Sequence, residues 1–198
     1  MQPDHDAQRR LLMTALAALP LGATRAASAT ERQADVAQGS RMLVAFFSRS
    51  GNTRVIAGFL QRTLGTDLHE IVPATAYPAD YETTVAQATR ERNSGYAPAL
   101  AGRAARMADY DTVFLGFPVW GMSLPPVIRS FLRTHDLARK NLVPVITHGG
   151  YGSGDSLDLL ARQAPQARMG KPFILQCDQE RSTNERIDQW LKDTGMRR

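Results

Sequence analysis

The segment Ser48–Thr53 combines hydroxyl side chains with a glycine, which are the residue types of a phosphate-binding turn. It follows an apolar run, Met42–Phe47, and precedes a run with helical spacing, Val55–Leu64. The first amides of a helix have no internal partner and carry partial positive charge, so they attract anions. Gly51 lets the backbone approach a phosphate closely. The predicted anion-binding residues are Ser48, Arg49, Ser50, Gly51, Asn52 and Thr53.

Two further loops follow predicted strands and have unusual compositions. Trp120 lies in a Pro-x-Trp-Gly turn, and its flat ring is predicted to stack on a planar ligand; the alternative is a tryptophan that fills the core beneath the loop. Tyr151, in a glycine-rich loop, is either a second stacking ring or an exposed side chain. His148 either exchanges a proton near neutral pH or caps the turn. The candidate binding residues in these loops are Pro118, Val119, Trp120, Gly121, His148, Gly149, Gly150, Tyr151 and Gly152.

The sequence lacks several catalytic and metal-binding motifs. The anion-binding segment has no P-loop lysine and is not G-x-G-x-x-G, so a nucleotide triphosphatase and a dinucleotide fingerprint are excluded. The single cysteine, Cys177, has Thr183 at the spacing of a Cys-x5-Arg phosphatase motif, and we expect it to be a buried small hydrophobe. His5, His69 and His135 lack metal-ligand spacing, so we predict no metal site. No catalytic residue is assigned.

Strand and helix patterns alternate along residues 41–198. Continuous apolar runs predict strands buried on both faces, and apolar residues three and four apart predict helices. The predicted strands are Met42–Phe47, Asp67–Val72, Asp111–Phe117, Asn141–Thr147 and Pro172–Cys177. The predicted helices are Thr53–Thr63, Ala79–Arg92, Leu124–Thr134, Asp155–Arg162 and Ser182–Thr194, the last two capped by Asp155 and Ser182. This alternation predicts a three-layer α/β domain with a five-stranded parallel sheet between helices.

The stretch Val44–Leu60 resembles the signature of the flavodoxin family. The positions that match in register are Val44, Phe46, Ser48, Gly51, Thr53, Ala57 and Leu60. Ala45 departs from it, since a larger apolar residue is usual there. Tyr77–Tyr81 resembles a segment of one flavodoxin-like subfamily, and the last strand has no long insertion, as in the short-chain type. The resemblance implies a doubly wound sheet of order 2-1-3-4-5, with FMN outside the carboxyl ends of the strands and its phosphate at Ser48–Thr53.

Residues 1–29 resemble an export signal. The pair Arg9-Arg10 precedes an apolar run too short to cross a membrane, and Ala27-Ser28-Ala29 has the form of a cleavage site. The paired arginines resemble a twin-arginine signal, which exports folded proteins that often hold a cofactor; a general secretory signal is the alternative. We therefore predict a signal at 1–29, a linker at 30–40 and a flavodoxin-like FMN-binding domain at 41–198. The expected location is the periplasm, without a stable membrane anchor.

The chain of 198 residues has a formal net charge of +5. Residues 1–29 hold three arginines and two aspartates, or 3 − 2 = +1, so the remainder carries 5 − 1 = +4. Electron-carrying members of the family resembled are acidic, whereas a basic surface attracts acidic proteins or anionic small molecules. Aromatic residues are not interleaved with the basic ones, which argues against a nucleic-acid partner. Seven basic residues cluster in the later half of the chain, namely Arg129, Arg133, Arg139, Lys140, Arg162, Arg168 and Lys171.

The sequence leaves three functions open. The first is an exported flavodoxin-like protein that binds FMN and passes electrons to a redox partner protein or a small-molecule acceptor. The second is an FMN-dependent reductase of quinones or other small molecules. The third is a flavodoxin-like binding module that has lost FMN. An electron carrier is favoured over a turnover enzyme.

Overall fold

Strands and helices alternate along the part of the chain that the structure describes. This computed structural model describes residues 41–177 and 180–196, so the predicted signal at 1–29 and linker at 30–40 lie outside the described residues. The strands are β1 (Met42–Phe46), β2 (Asp67–Glu70), β3 (Thr112–Pro118), β4 (Asn141–His148), β5 (Arg168–Met169) and β6 (Phe173–Gln176). The helices are α1 (Asn52–Leu64), α2 (Tyr81–Ser94), α3 (Pro126–Thr134), α4 (Ser156–Gln163) and α5 (Glu180–Asp193), with a short 3-10 helix at Met107–Asp109. Within these described ranges, no helix is both long and apolar enough to cross a membrane.

The sheet is parallel throughout, in the order β2-β1-β3-β4-β5, and β6 also pairs with β4. The predicted doubly wound α/β fold with order 2-1-3-4-5 is therefore confirmed. The predicted strand Pro172–Cys177 corresponds to β6, and the difference is an additional two-residue strand, β5, which pairs with β4 just before it. Gly170 passes so close to β4 that an added Cβ would lie 2.8 Å from Val143 Cγ2, and Pro172 has no N–H to donate. The Gly170 amide still donates to the Leu142 carbonyl at 2.8 Å, so the pairing with β4 continues to Gly170 and is interrupted only at residues 171–172.

Two hydrophobic cores lie on opposite faces of the sheet. Successive side chains of a strand point to opposite faces, so Leu43 and Ala45 join the core under α3 and α4, while Val44 and Phe46 join the core under α1 and α5. Helix α2 packs beside α3. Burying one large apolar side chain contributes roughly 1.5–3 kcal/mol, so the two cores hold the strand ends firmly. The loops at the carboxyl edge of the sheet thus start from fixed points.

The helix ends differ in part from those predicted. Asp80 caps α2, because its carboxylate accepts from the Thr83 amide at 2.8 Å and from the Thr83 hydroxyl at 2.6 Å. Asp155 precedes α4 as predicted, but its side chain makes no capping bond, since its backbone (φ −86°, ψ 7°) lacks the extended form of a cap. Helix α5 begins at Glu180, so Ser182 lies inside the helix and the prediction that it caps it is wrong.

Candidate functional site

A cavity of about 360 Å³ opens at the carboxyl edge of the sheet, a size usual for a small-molecule site. Three loops border it: the β1–α1 loop (47–51), the β3–α3 loop (119–125) and the β4–α4 loop (149–155). From these loops and the helix and strand ends beside them come nine of the predicted site residues: Arg49, Ser50, Asn52, Pro118, Val119, Trp120, Gly121, His148 and Gly149. The three loops predicted to form the site therefore meet at one cavity, at the carboxyl edge of the sheet.

The amino end of α1 provides an anion-binding position in this cavity. The first bond within α1 joins the Val55 amide to the Gly51 carbonyl at 3.0 Å, so the three preceding amides have no partner within the helix. Gly51 has a φ of 98°, which favours glycine, and its amide donates to Ser48 Oγ at 3.1 Å. Ser50 and Asn52 line the cavity beside these amides. This end of the cavity can hold a phosphate.

The structure places Thr53 away from the cavity. Its side chain is 1% exposed, and its hydroxyl is hydrogen-bonded to the Thr147 hydroxyl at 2.9 Å. The bond joins α1 to the end of β4 beneath the loops. Ser48 and Gly51 also lie outside the cavity lining and shape the turn. Of the six residues predicted to bind the phosphate, the side chains that reach the cavity are therefore Arg49, Ser50 and Asn52.

Trp120 combines the two roles that the sequence left open. It lines the cavity, but its ring also packs edge-on against Tyr77 at 4.9 Å and Phe47 at 5.2 Å between centroids. Burial, followed by the hydrogen bond to Glu91, raises the pKa of the Tyr77 hydroxyl, so Tyr77 stays neutral beside the tryptophan. The indole is thus held by the core while part of it borders the cavity.

A tight turn holds the indole in this position. The backbones of Trp120 and Ser123 exchange hydrogen bonds of 2.8 and 3.1 Å. The two central residues, Gly121 and Met122, have φ values of 56° and 64°, which is the pattern of a type I′ turn. Such a φ is unusual for methionine and places strain at the rim of the cavity.

His148 anchors the β4–α4 loop by capping it. Its Nδ1 accepts from the amides of Gly150 at 3.0 Å and Gly152 at 3.2 Å, so the proton of the neutral ring is on Nε2. This fold of the loop turns Tyr151 outward, where it is 83% exposed. Tyr151, Gly150 and Gly152 do not line the cavity, so the predicted second stacking ring is not brought to the site.

The β4–α4 loop is tied to the β3–α3 loop. The Asp155 amide donates to the Met122 carbonyl at 2.9 Å, and a Cβ added to Gly154 would lie 1.9 Å from that same oxygen. Gly154 also has a φ of 54°. The two loops therefore meet directly, and glycine is required at the contact.

Helix α2 forms a cavity wall that the sequence analysis missed. The side chains on this wall recur three or four residues apart, so they share one helical face. They are Tyr81, Thr84, Val85, Ala88, Thr89 and Arg92. A run of small and hydroxyl-bearing residues at that spacing, where a core-facing helix would have large apolar ones, was the available signal. We name this face the α2 wall.

The cavity lining holds two arginines and no carboxylate. Arg49 donates to the Ala79 carbonyl at 2.8 Å and lies 5.8 Å from the centre of the Tyr81 ring. Arg92 donates to the Gly121 carbonyl at 3.2 Å. Among the described residues, neither guanidinium forms an ion pair with a carboxylate. Outside the lining, hydrogen bonds from Thr83 and, to a smaller extent, the charge of Arg49 lower the pKa of Asp80, so Arg49 is partly offset by that carboxylate. The positive charge that remains in the cavity lining is available to an anionic ligand.

Most of the predicted basic surface lies at the opposite edge of the sheet. Arg133 and Arg162 are in the last turns of α3 and α4, and Arg168 begins β5, which places all three near the amino ends of the strands. Arg129 is not part of this surface, because its side chain is buried and donates to the Arg92 carbonyl at 3.3 Å. Burial lowers the pKa of Arg129.

The sequence and the fold of this chain match known proteins. A family model described as flavodoxin matches residues 41–194, more than half of the chain. The chain belongs to the flavodoxin family. No curated protein sequence matches it.

Solved structures resemble this flavodoxin-family chain over most of its length. Provisionally assigned flavoproteins from Bacteroides eggerthii and Bacteroides uniformis are each 30% identical, with a TM-score of 0.69; each match covers 78% of this chain and 97% or 99% of the other. A flavoprotein from Lactobacillus acidophilus, solved in complex with FMN, is 18% identical with a TM-score of 0.62, covering 75% of this chain and 97% of that one. At that identity the last match supports the fold alone.

Cys177 is another difference from the sequence analysis. It was predicted to be a buried hydrophobe, but it is partly exposed and lines the cavity at the end of β6. Its amide donates to the His148 carbonyl at 2.8 Å, which fixes it beside the β4–α4 loop. Because β6 ends at Gln176, Cys177 lies just past the core that covers the strand.

Two histidines lie inside the domain, away from the cavity. The rings of His69 and His135 are 6.5 Å apart. Nε2 of His135 accepts from the Ala104 amide at 3.0 Å, and Nδ1 lies 2.9 Å from the Phe131 carbonyl, to which it donates. Burial is the main cause that lowers both histidine pKa values. In residues 41–177 and 180–196, no group of three His, Cys, Asp or Glu side chains is arranged to hold a metal.

Proposed function

We propose that this protein is an exported flavodoxin that binds FMN and transfers electrons. The observation that carries the proposal is the cavity itself. It lies outside the carboxyl ends of β1, β3 and β4, where a doubly wound sheet binds its ligand, and it combines free helix amides, unpaired arginines and an aromatic side chain. An anionic phosphate and a flat aromatic ring are the two parts of FMN that such a lining suits.

Each part of FMN has candidate binding residues. The α1 amides, with Ser50 and Asn52, would hold the phosphate, because charged hydrogen bonds to helix amides are strong. The isoalloxazine ring would lie against Trp120 and near the backbone of Gly149. When bound, FMN supplies reversible one- or two-electron transfer. Arg49 and Arg92 would favour its reduced anionic form, because no carboxylate in the lining offsets their charge.

The experiment is a spectrum of the purified protein followed by titration of the apoprotein. We expect the visible absorbance of oxidised flavin, and tighter binding of FMN than of riboflavin, which has no phosphate. Ser50→Ala should lower the affinity for FMN about tenfold or more, because it removes one hydrogen bond to a charged group. The affinity for riboflavin should not change.

Ser94→Ala is the matched control, because Ser94 is exposed at the far end of α2 and bonds to the Glu91 carbonyl. If the wild-type protein binds neither flavin, the chain is a binding module and the proposal is wrong. Equal loss of FMN and riboflavin in Ser50→Ala would exclude the proposed phosphate position.

A specific observation supports a second candidate function, reduction of a small molecule. The α2 wall adds a side of the cavity made of short side chains such as Thr84 and Ala88, which leaves room beside a ring at Trp120. Oxidation of a nicotinamide donor with a quinone as acceptor, measured at catalytic protein concentrations, separates this reductase from a simple electron carrier. Absence of turnover, with rapid single reduction and reoxidation, favours the carrier.

The proposed export rests on Arg9-Arg10 and the apolar run after it. The proposed route is the twin-arginine route to the periplasm, with the flavin bound before export. Changing both arginines to lysine keeps the charge and should retain the protein inside the cell. Normal export of that variant would leave the general secretory route.

An acidic partner remains part of the proposal, and the location of the basic residues suggests where it would bind. Arg133, Arg162 and Arg168 lie at the amino edge of the sheet, and the eight residues of β4 span about 25 Å from that edge to the cavity. An acidic protein docked there would leave the cavity open to a small acceptor.

A further inference from the structure

The two cavity arginines stand at opposite ends of the α2 wall. Arg49 is fixed at its start, through the Ala79 carbonyl and the Tyr81 ring. Arg92 is eleven residues after Tyr81 on the same helix. At 1.5 Å per residue, the two ends of the wall are about 16 Å apart along the helix axis. The two arginines are therefore held by different partners at the two ends of this wall, Arg49 by Ala79 and Arg92 by Gly121.

The proposed function uses only one of these two ends for a phosphate. FMN carries a single phosphate, and the free amides of α1 lie with Ser50 and Asn52 at the Arg49 end. Arg92 is left at the other end, beside Gly121. A guanidinium that has no carboxylate partner and lies at a cavity wall can bind the anionic group of a second ligand.

The surroundings of Arg92 are built to hold its guanidinium at the cavity. A Cβ added to Gly121 would lie 2.1 Å from Arg92 Nη1, so the glycine leaves the space that the guanidinium occupies. The bond to the Gly121 carbonyl uses one of five N–H donors. On the other side, the buried Arg129 donates to the Arg92 carbonyl and fixes the end of the helix. Thr89, nearly one turn earlier, adds a hydroxyl to the same wall.

We propose that Arg92, with Thr89, binds the anionic group of a small planar electron acceptor, so that the cavity favours aromatic acceptors that carry a carboxylate or sulfonate over neutral ones. The apolar part of such a ligand would lie against Val85 and Ala88. This inference rests on the proposed function, since it places the acceptor in the cavity that holds FMN. It assigns the direct contacts of Arg92 to the acceptor and the direct contacts with FMN to the other end of the wall, while the charge of Arg92 still acts on the flavin at a distance.

The test uses two probes that share a naphthalene ring and do not accept electrons from a flavin, so that binding is measured without turnover. Calorimetric titration of the flavin-loaded protein with naphthalene-2-sulfonate and with neutral 2-naphthol gives the two dissociation constants. Arg92→Gln should lower the affinity for the sulfonate about tenfold or more and change the affinity for the neutral probe less than about twofold. Arg92→Lys should fall between the wild type and Arg92→Gln, because it keeps the charge without the planar fork.

Arg90→Gln is the matched control, since Arg90 is exposed on the same helix, carries the same charge and does not line the cavity. It should leave both constants within about twofold of the wild type, because an exposed charge that does not touch the ligand is screened by salt. Thr89→Val, which keeps the side-chain shape, should weaken the sulfonate alone.

Three results would overturn the inference. One is that Arg92→Gln leaves the affinity for the sulfonate unchanged. Another is that Arg90→Gln lowers this affinity as much as Arg92→Gln does, which would indicate that only the net charge of the protein matters. The third is loss of FMN from Arg92→Gln, measured by absorbance, which would assign Arg92 to the cofactor. Failure of the wild-type protein to bind FMN is a separate result, seen before any probe is added, and would remove the proposed function together with this inference.

Discussion

Replacing Thr53 by valine should lower the stability of the protein and not its affinity for FMN. Thr53 resembles a phosphate-binding hydroxyl in the sequence, yet its side chain is 1% exposed and bonds to Thr147, which is also 1% exposed. Valine keeps the methyl group that packs near Gly116, where an added Cβ would lie 3.1 Å from Thr53 Cγ2. The change removes one buried hydrogen bond and leaves the Thr147 hydroxyl without a partner. We therefore expect the free energy of unfolding of the apoprotein to fall by about 1–3 kcal/mol.

The assay is urea unfolding of the apoproteins, together with FMN titration of each. The double variant Thr53→Val/Thr147→Val should recover most of the lost stability, because replacing both partners by apolar groups of the same shape is nearly neutral. Serine at residue 53 is the control that keeps the hydroxyl. A Thr53→Val protein with unchanged stability and at least about tenfold weaker FMN binding would refute this reasoning and return Thr53 to the phosphate site.

Three further predictions concern stability and redox behaviour. Because burial lowers the pKa values of His69 and His135 from 6.5 in the folded state, the unfolded chain binds more protons below that pH. Stability should therefore be level above pH 6.5 and fall as the pH drops, and His69→Gln should reduce the slope seen in urea unfolding between pH 7.5 and about 5. Gly154→Ala should lower both the stability of the holoprotein and its affinity for FMN, since the added Cβ would lie 1.9 Å from the Met122 carbonyl. Gly149→Ala should lower stability only slightly, because an added Cβ there meets no atom within 4 Å. Equal thermal melting curves for the two variants would contradict this prediction. Because Arg49 and Arg92 line the cavity, the potential for adding the second electron to the flavin should be higher than in an acidic flavodoxin titrated alongside, and the difference should persist at high salt. A second-electron potential as low as that of the acidic flavodoxin would contradict this prediction.

The sequence predicted the fold because the strand patterns are strong and local. Runs such as Val143–Ile146, buried on both sides, leave few alternatives to a parallel sheet covered by helices. The two-residue strand β5 was not predicted, because Arg168 and Met169 are exposed and form no apolar run. The three loops that border the cavity were singled out for a similar reason, because each directly follows a predicted strand.

The direction of individual side chains was less predictable, since distant residues determine it. Thr53 turns inward because its hydroxyl finds Thr147, ninety-four residues further along the chain. Tyr151 turns outward because two neighbouring amides bond to His148. The α2 wall was missed because Thr84 and Ala88 are as common on exposed helices as in cavities. Pattern predicts an element, but long-range contacts determine which of its faces meets the ligand.

The two tryptophans report on opposite layers of the molecule. Trp120 borders the cavity, whereas Trp190 is packed against Phe114 and Phe173 on the other side of the sheet. In a Trp190→Phe variant, all indole emission would come from the ring beside the proposed flavin. Quenching of this indole fluorescence would follow FMN binding in real time. In the reciprocal variant, Trp120→Phe, the fluorescence of Trp190 would follow unfolding of the α1 and α5 layer. Fluorescence alone could therefore separate cofactor binding from folding without an added label.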